Sequence, residues 1–344
     1  MSEKESSFTE QAQSQDVRCI VCNGPADFWL KGEDRTYVAT NYVATLFRCR
    51  KCGAAFQHPM PSREVIASFY PGGYWLESLK TSPLAKLMRF YVAMMLKWDL
   101  FRWFQRMKLA PRNRFLDLGC SRGDFLAMAA KTGVHAEGIE GDLQAADFAR
   151  KTYGVTVSSL DLDTWEPIDE AWDGLSLFHV LEHVRDPHKL LLQCWKGLKP
   201  GGRLLLRVPN VSSWQARLFG AKWKPLDLPR HLTHFHPKVL RELLQNTGFS
   251  VAVQSTWTLR DGPPAWAATV FQSGEPTFQQ IKRKRSTWRV GVFFLLTWFF
   301  TPLELMAAAF GQGGMITFVG QKLPNHKPIT TRGRAETATC ATPQ

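Results

Sequence analysis

The chain has 344 residues, room for one large domain or two, and its 44% apolar content is that of a globular protein that can bury a core. Its 43 lysines and arginines against 30 acids leave a net charge of +13, which favours an anionic partner: nucleic acid, anionic lipid or a phosphorylated substrate. Seven cysteines, four of them in two CxxC pairs, exclude a disulfide scaffold and favour a metal in a reducing compartment.

Residues 1–16 are rich in Ser, Glu and Gln and have no apolar run, so they read as disordered and not as a signal peptide. Cys19-Ile20-Val21-Cys22 and Cys49-Arg50-Lys51-Cys52-Gly53 follow, separated by 26 residues. Each CxxC lets two thiolates grip one ion, and two such knuckles complete a tetrahedral zinc site. Cys19, Cys22, Cys49 and Cys52 are the expected ligands of a structural Zn2+ in a zinc ribbon over 17–60. Four protein ligands leave no position open for catalysis. A redox dithiol would explain neither the second pair nor the glycine after it. Tyr37 to Arg48 alternates as a strand would.

Residues 61–112 read as a linker with turns at Pro/Gly clusters, then an amphipathic helix from Leu84 to Leu109. Between Lys80 and Arg114 there are nine basic residues and one acid. Two readings stay open: a solvated basic face, or contact with anionic lipid or a lipid-linked substrate. No nucleic-acid motif accompanies the charge, so nucleic acid is not the expected partner.

From Arg114 to Leu126 the pattern is a buried strand, a tight turn with Gly119 and Gly123, and a helix start. Asp117 falls at the strand's carboxyl end, where open α/β sheets place ligands. The glycine spacing is G-x-x-x-G, with Ser121 where a dinucleotide site would have its middle glycine, and an acid here would repel phosphate. It suits a cationic ligand instead. Val134 to Glu140 reads as a second strand, and Glu140 stands 23 residues after Asp117, where an acid would take two ribose hydroxyls.

The block Asp-Leu-Gly-Cys-Ser-Arg-Gly at 117–123 resembles the first motif of class I S-adenosylmethionine-dependent methyltransferases. The blocks HVLEHVRDP at 179–187 and LKPGGRLLLRVPN at 198–210, in this order, resemble that family's fourth strand with its following loop and its fifth strand. The segment QHPMPSREVIASFYPGGYW after a CxxC pair is similar to modules that precede this domain in bacterial sugar- and polysaccharide-associated methyltransferases of the type 23 group. The resemblance implies an α/β fold, a Rossmann-like seven-stranded doubly wound sheet over 113–322 behind a small N-terminal zinc ribbon. It implies S-adenosylmethionine as cofactor, with Asp117, Gly119, Cys120 and Gly123 around the methionyl part, Glu140 on the ribose, Asp161 on the adenine amino group, and His179 at the end of the fourth strand.

His179, His183 and His231 are the candidate catalytic residues, since a histidine near neutral pKa can take a proton from an attacking hydroxyl. Each also has a structural reading as a capping or orienting group. His231 lies in a connection of about 25 residues, Trp214 to Phe235, with Arg230 and His234; a loop that long tends to be a lid or a binding segment. Arg230 could hold an anionic substrate group bidentately.

Helix Pro237–Thr247, a sixth strand over Phe249–Trp257 and a Pro/Gly-rich stretch at 260–277 come next. The basic cluster Lys282-Arg283-Lys284-Arg285 precedes an apolar helix at 288–310, within which 290–303 is 14 uncharged residues, fewer than the ~20 of a membrane span. A packed helix, an interfacial helix on an anionic membrane surface and a span are all open readings. Met315 to Gln321 resembles the family's last, antiparallel strand, which argues against a single crossing. Residues 323–344 read as a polar, disordered tail. The expected protein is cytoplasmic, peripheral on the inner face of a membrane, and methylates a small or lipid-linked acceptor such as a sugar or polysaccharide precursor. The alternatives are an NAD-dependent sugar-modifying enzyme and a non-catalytic, zinc- and membrane-anchored binding module.

Overall fold

The computed structural model describes residues 17–36, 38–70, 94, 98–282, 286–324 and 328. The expectations for 1–16, for the linker and helix start at 71–93 and 95–97, for 283–285, and for the tail at 325–327 and 329–344 lie outside the described residues.

Three antiparallel strands, β1 (Ala26–Gly32), β2 (Ala44–Cys49) and β3 (Ala55–Gln57), form the N-terminal sheet. The sequence alternation from Tyr37 to Arg48 overextends the second of these. Asp34 accepts hydrogen bonds from the Thr36 and Ala39 backbone amides (3.1 and 2.9 Å) and holds that stretch as a loop until Ala44. Helix α1 (Arg63–Ser68) follows, capped by Ser62, and 98–106 is helical.

The central sheet starts with β4 (Arg114–Leu118), whose Phe115, Leu116 and Leu118 are buried, as a strand covered on both faces requires. Helix α2 (Asp124–Ala130) leads to β5 (His135–Ile139), and α3 (Leu143–Tyr153) to β6 (Thr156–Ser158). Helix α3 begins where the Asp142 side chain accepts from the Ala145 amide (2.7 Å) and ends at left-handed Gly154. β7 (Trp172–Phe178), α4 (Pro187–Gly197) and β8 (Leu198–Pro209) continue the parallel part. The connection after β8 is built, not bare. It holds α5 (Trp214–Phe219), two short 3-10 turns and β9 (Thr233–His234). Helix α6 (Pro237–Asn246), β10 (Phe249–Ser255), α7 (Gly262–Val270), α8 (Pro276–Ile281), the long α9 (Thr287–Ala309) and β11 (Met315–Lys322) complete the described chain.

The seven-stranded order is β10-β11-β8-β7-β4-β5-β6, with β11 antiparallel to both neighbours and the β4–β8 set parallel. Strand order reverses beside β4, and in open α/β sheets the crevice at the carboxyl ends there receives the ligand. β9 does not join this sheet. It pairs antiparallel with β3, Ala55 opposite His234, and makes the N-terminal sheet four-stranded.

Helix α9 packs on α7 with Phe293 and Ala307 buried, and the acid in its apolar run, Glu304, turns inward. Glu304 accepts from the Gly314 amide (2.7 Å), Trp266 Nε1 (2.8 Å) and Gln215 Nε2 (3.1 Å). The opposite face is apolar and bare: Leu295, Phe299 and Phe310 are 70%, 73% and 70% exposed. Among the described residues this is the helix long and apolar enough, by length and composition, to cross a membrane.

Candidate functional site

The turn between β4 and α2 is shaped by what cannot be there. Gly119 has φ +70°, and a Cβ on it would lie 2.5 Å from Val180 Cγ2; one on Gly123 (φ +78°) would meet Ala149 Cβ at 2.8 Å. Cys120 is buried beneath the turn, its sulfur against Gly138 of β5. Ser121 adopts φ +49°, a conformation glycine takes more easily, and its amide donates to Glu140 Oε2 (2.7 Å). The other oxygen of Glu140 accepts from the Asp142 amide (2.9 Å). Both amides leave lone pairs on the carboxylate for a ligand.

Asp117 is buried at the tip of β4, its Oδ1 accepting from Ser176 Oγ of β7 (2.6 Å). Burial pushes its pKa up to about 7, the Glu140 carboxylate adds to the rise, and the Ser176 hydroxyl opposes it. Burial also raises Glu140, against the pull of the backbone amides. Two buried acids around a glycine turn, one of which raises the cost of ionising the other, suit a cation. The residues present therefore fit the sulfonium and amino group of S-adenosylmethionine. Asp161 sits exposed on the loop after β6, its Oδ1 accepting from the Asp163 amide (2.9 Å).

A second group gathers at the end of β7. His179 lies between two carboxylates: Nε2 is 3.5 Å from Asp261 Oδ2 and Nδ1 is 3.4 Å from Glu182 Oε1. Burial alone would depress its pKa, but Asp261 and Glu182 outweigh burial and push it up to about 9, so at neutral pH the ring is an imidazolium. Asp261, against the effect of burial, is held well below the usual carboxylate range by Arg260, His179 and Arg207. Arg207, fully buried on β8, also pairs with Asp99 at 2.7 Å. Glu182 is buried and, despite burial, stays ionised beside His179, His231 and His183.

His183 and His231 meet edge to face, ring centroids 4.6 Å apart. Burial, with the neighbouring His183, pushes His231 down to about 4, so this ring is neutral at physiological pH. His234 is likewise pushed down to about 3 by burial and then by His231, 6.2 Å away between centroids. Backbone bonds from the Leu232 and Thr233 amides to the Glu182 carbonyl (2.7 and 3.2 Å) zip the connection onto the loop after β7. This zip brings His231 beside Glu182 across 49 residues of sequence.

Arg230 corrects a sequence expectation. It is 1% exposed and spent on Asp34 (2.6 Å), Asp227 (3.1 Å) and the Phe69 and Leu228 carbonyls (3.2 Å each), so it is not offered to a substrate anion. It clamps the connection to the N-terminal segment. Gln57 Nε2 adds bonds to the Pro229 and His231 carbonyls (2.6 and 3.1 Å), and Tyr70 Oη lies 3.1 Å from His183 Nδ1. Asp34, Gln57, Tyr70, Asp227 and Asp261 were not singled out from sequence. Ser176, a hydroxyl interrupting an apolar strand, was the one residue carrying a local signal.

The four N-terminal cysteines converge. Their sulfurs all lie within 4.8 Å of one another, with Cys19–Cys52 at 3.7 Å and Cys22–Cys49 at 3.4 Å. The Val21 amide points at Cys19 Sγ (3.3 Å) and the Cys52 amide at Cys49 Sγ (3.4 Å), an arrangement that stabilises thiolates. The donor set fits a tetrahedral Zn2+.

A doubly wound sheet of this order, with paired acids around the first turn at its switch point, has the architecture of the class I S-adenosylmethionine-dependent methyltransferases, and the central domain is of that Rossmann-like type. Residues 95–254 match the family model described as a methyltransferase domain. The ubiquinone biosynthesis O-methyltransferase of Maricaulis maris (strain MCS10) is 31% identical over 154 residues, 40% of this chain and 59% of that protein. That of Pseudomonas syringae pv. syringae (strain B728a) is 32% identical over 146 residues, 40% of this chain and 62% of that protein. The chain thus spans 59% and 62% of these curated relatives' lengths. Among solved structures, a methyltransferase of Thermotoga maritima described as a possible histamine N-methyltransferase aligns with TM-score 0.40 and 22% identity, covering 50% of this chain and 79% of that one. An S-adenosylmethionine-dependent methyltransferase from Archaeoglobus fulgidus aligns with TM-score 0.45 and 20% identity, covering 67% and 94%.

Proposed function

We propose that this protein is an S-adenosylmethionine-dependent methyltransferase acting on a hydroxyl of a small or lipid-linked acceptor. The observation that carries the reading is the Asp117–Glu140 pair bracketing the Gly119 turn where strand order reverses. Bound S-adenosylmethionine would supply an electrophilic methyl on its sulfonium. Asp117 holds the ligand's positive end, Glu140 takes the ribose, and the glycine turn admits the backbone without a Cβ. The second group receives the acceptor. Glu182, His183 and His231 present acceptor atoms to one spot, which draws a proton-bearing hydroxyl or a cation and repels an anion. Positioning the nucleophile in line with the methyl is the main rate contribution such a site makes.

The direct test is transfer of a radiolabelled methyl group from S-adenosylmethionine to two sets of acceptors: nucleotide- and lipid-linked sugars, and isoprenoid-tailed phenols. The second set is suggested by the names of the relatives. Labelling of either set, with micromolar cofactor binding by calorimetry, is the expected result. Binding of NAD without binding of S-adenosylmethionine would sink the reading.

The four cysteines hold a structural Zn2+ in this reading. One zinc per chain is expected by elemental analysis after gel filtration. Cys49→Ser should lose it and destabilise β1–β3, because a ribbon this small folds around its metal.

We also assign α9 to the membrane interface, where an acceptor with a lipid tail would be met. Its bare apolar face, the buried Glu304 and the preceding Lys282–Arg285 sequence suit an anionic surface. Paired Leu295→Asp and Phe299→Asp substitutions should weaken sedimentation with phosphatidylglycerol vesicles at least about tenfold, since each side chain contributes roughly 1.5–3 kcal/mol when buried. Equal partitioning of variant and wild type would remove α9 from this role.

A further inference from the structure

Glu182 is 1% exposed, yet among the described residues neither of its carboxylate oxygens accepts a hydrogen bond. His179 Nδ1, 3.4 Å from Oε1, is an ion-pair neighbour without hydrogen-bond geometry. A buried carboxylate with no donor is costly, and its two neighbours make the arrangement stranger. His183 Nδ1 lies 3.1 Å from the Arg230 carbonyl, and His231 Nδ1 lies 2.9 Å from the Pro225 carbonyl. A carbonyl oxygen only accepts, so Nδ1 of His231 carries the proton and its Nε2 keeps the lone pair. His183 Nδ1 has both that carbonyl and the Tyr70 hydroxyl (3.1 Å) beside it, and donation to the carbonyl leaves its Nε2 lone pair for a ligand in the same way. His231 Nε2 is 4.0 Å from Glu182 Oε1. One ligand atom from each of the three residues lies within 4.8 Å of the others. Three potential electron-pair donors thus lie around one point, with the His179 ring, 3.4 Å from Glu182 Oε1, as the neighbouring cation. Histidines tethered to backbone carbonyls through Nδ1 are oriented as metal ligands usually are.

We infer that Glu182, His183 and His231 bind a divalent first-row transition-metal ion at the acceptor face. Two imidazoles and one carboxylate favour Zn2+, Mn2+, Fe2+ or Co2+ over Mg2+ or Ca2+, which take all-oxygen sets. Three protein ligands leave positions open, unlike the four-cysteine site. Metal–nitrogen bonds of about 2.0–2.1 Å place ligand atoms roughly 3.3 Å apart, so occupancy draws the three side chains inward. The ligands come from two segments, the loop after β7 and the connection after β8, that the Leu232–Glu182 backbone bond already fastens together.

The inference deepens the methyltransferase reading and rests on it for its consequence. A coordinated acceptor hydroxyl loses its proton to water more readily. Its oxygen then forms the new O–C bond as the C–S bond breaks, the sulfonium leaves as a neutral thioether, and the metal is unchanged.

The test uses the full chain with its cysteine site loaded with Zn2+, titrated with Mn2+ and followed by the loss of the free-ion signal in electron paramagnetic resonance. One Mn2+ per chain is expected, displaced by added Zn2+, lost in Glu182→Gln and in His231→Asn, and kept in Asp117→Asn. Wild type that takes up neither Mn2+ nor Co2+, or a Glu182→Gln chain that still binds them, overturns the site. Circular dichroism reports whether each variant folds; should Glu182→Gln not fold, His183→Asn decides by the same criterion. Failure of the broader reading shows separately, as wild type that binds metal but neither S-adenosylmethionine nor any acceptor.

Discussion

Asp117→Asn should weaken S-adenosylmethionine binding by about 10- to 100-fold in calorimetry, because a hydrogen bond or ion contact to a charged group contributes roughly 1.5–3 kcal/mol. The substitution keeps the shape of the site and a partner for Ser176, so the loss reports charge rather than collapse. The pH dependence follows from the same residue. Burial, then the neighbouring Glu140, raise the Asp117 pKa to about 7 in the free protein, so at pH 6 it is mostly protonated and at pH 8 mostly ionised. A cationic ligand binds the ionised form. Affinity should therefore climb between pH 6 and pH 8 and then level off, while the asparagine variant stays flat over that range. A wild-type profile as flat as the variant's would take Asp117 out of the cofactor site.

The second large effect is on stability. Arg230→Met leaves Asp34 and Asp227 buried without their shared cation, and breaking a buried pair in this way costs about 3–5 kcal/mol. The melting temperature should fall on the order of 10 °C by calorimetry. Arg230→Lys should recover little, since one ammonium cannot span two carboxylates as the guanidinium fork does. Removing the acids as well, in Asp34→Asn/Asp227→Asn/Arg230→Met, should restore part of the loss. A single Arg230→Met variant that melts within 2 °C of wild type, against the cost of about 3–5 kcal/mol, would show that the clamp holds nothing. The same clamp links the two halves of the molecule. The N-terminal sheet takes β9 as its fourth strand, and His231 lies in the two-residue step between Arg230 and that strand, so loosening the cysteine module should disturb the acceptor face while leaving Asp117 and Glu140 in place.

What was readable along the chain is what is encoded locally. The apolar run Arg114–Leu118 read as a buried strand and Gly119 and Gly123 as the bend after it; that a Cβ at either would strike Val180 or Ala149 is what the tertiary structure adds. Glu140 was found by its distance from Asp117, since parallel strands joined by a helix repeat at a nearly fixed interval. Two CxxC pairs announced their convergence for the same reason: the knuckle is a local structure. The acceptor face carries no such pattern. Glu182 and His183 follow β7, His231 follows β8, and only the pairing of the connection with both the β7 loop and β3 puts them side by side. Arg230 looked available to a substrate because a sequence does not display that Asp34, almost two hundred positions earlier, turns back to meet it. Residues 288–310 fixed an apolar helix by composition, but packing on α7 decided that one side is buried, that Glu304 points inward and that Leu295 and Phe299 face out. Periodicity sets which element forms; the long-range contacts that satisfy buried charge and backbone set which side chains end up sharing a site.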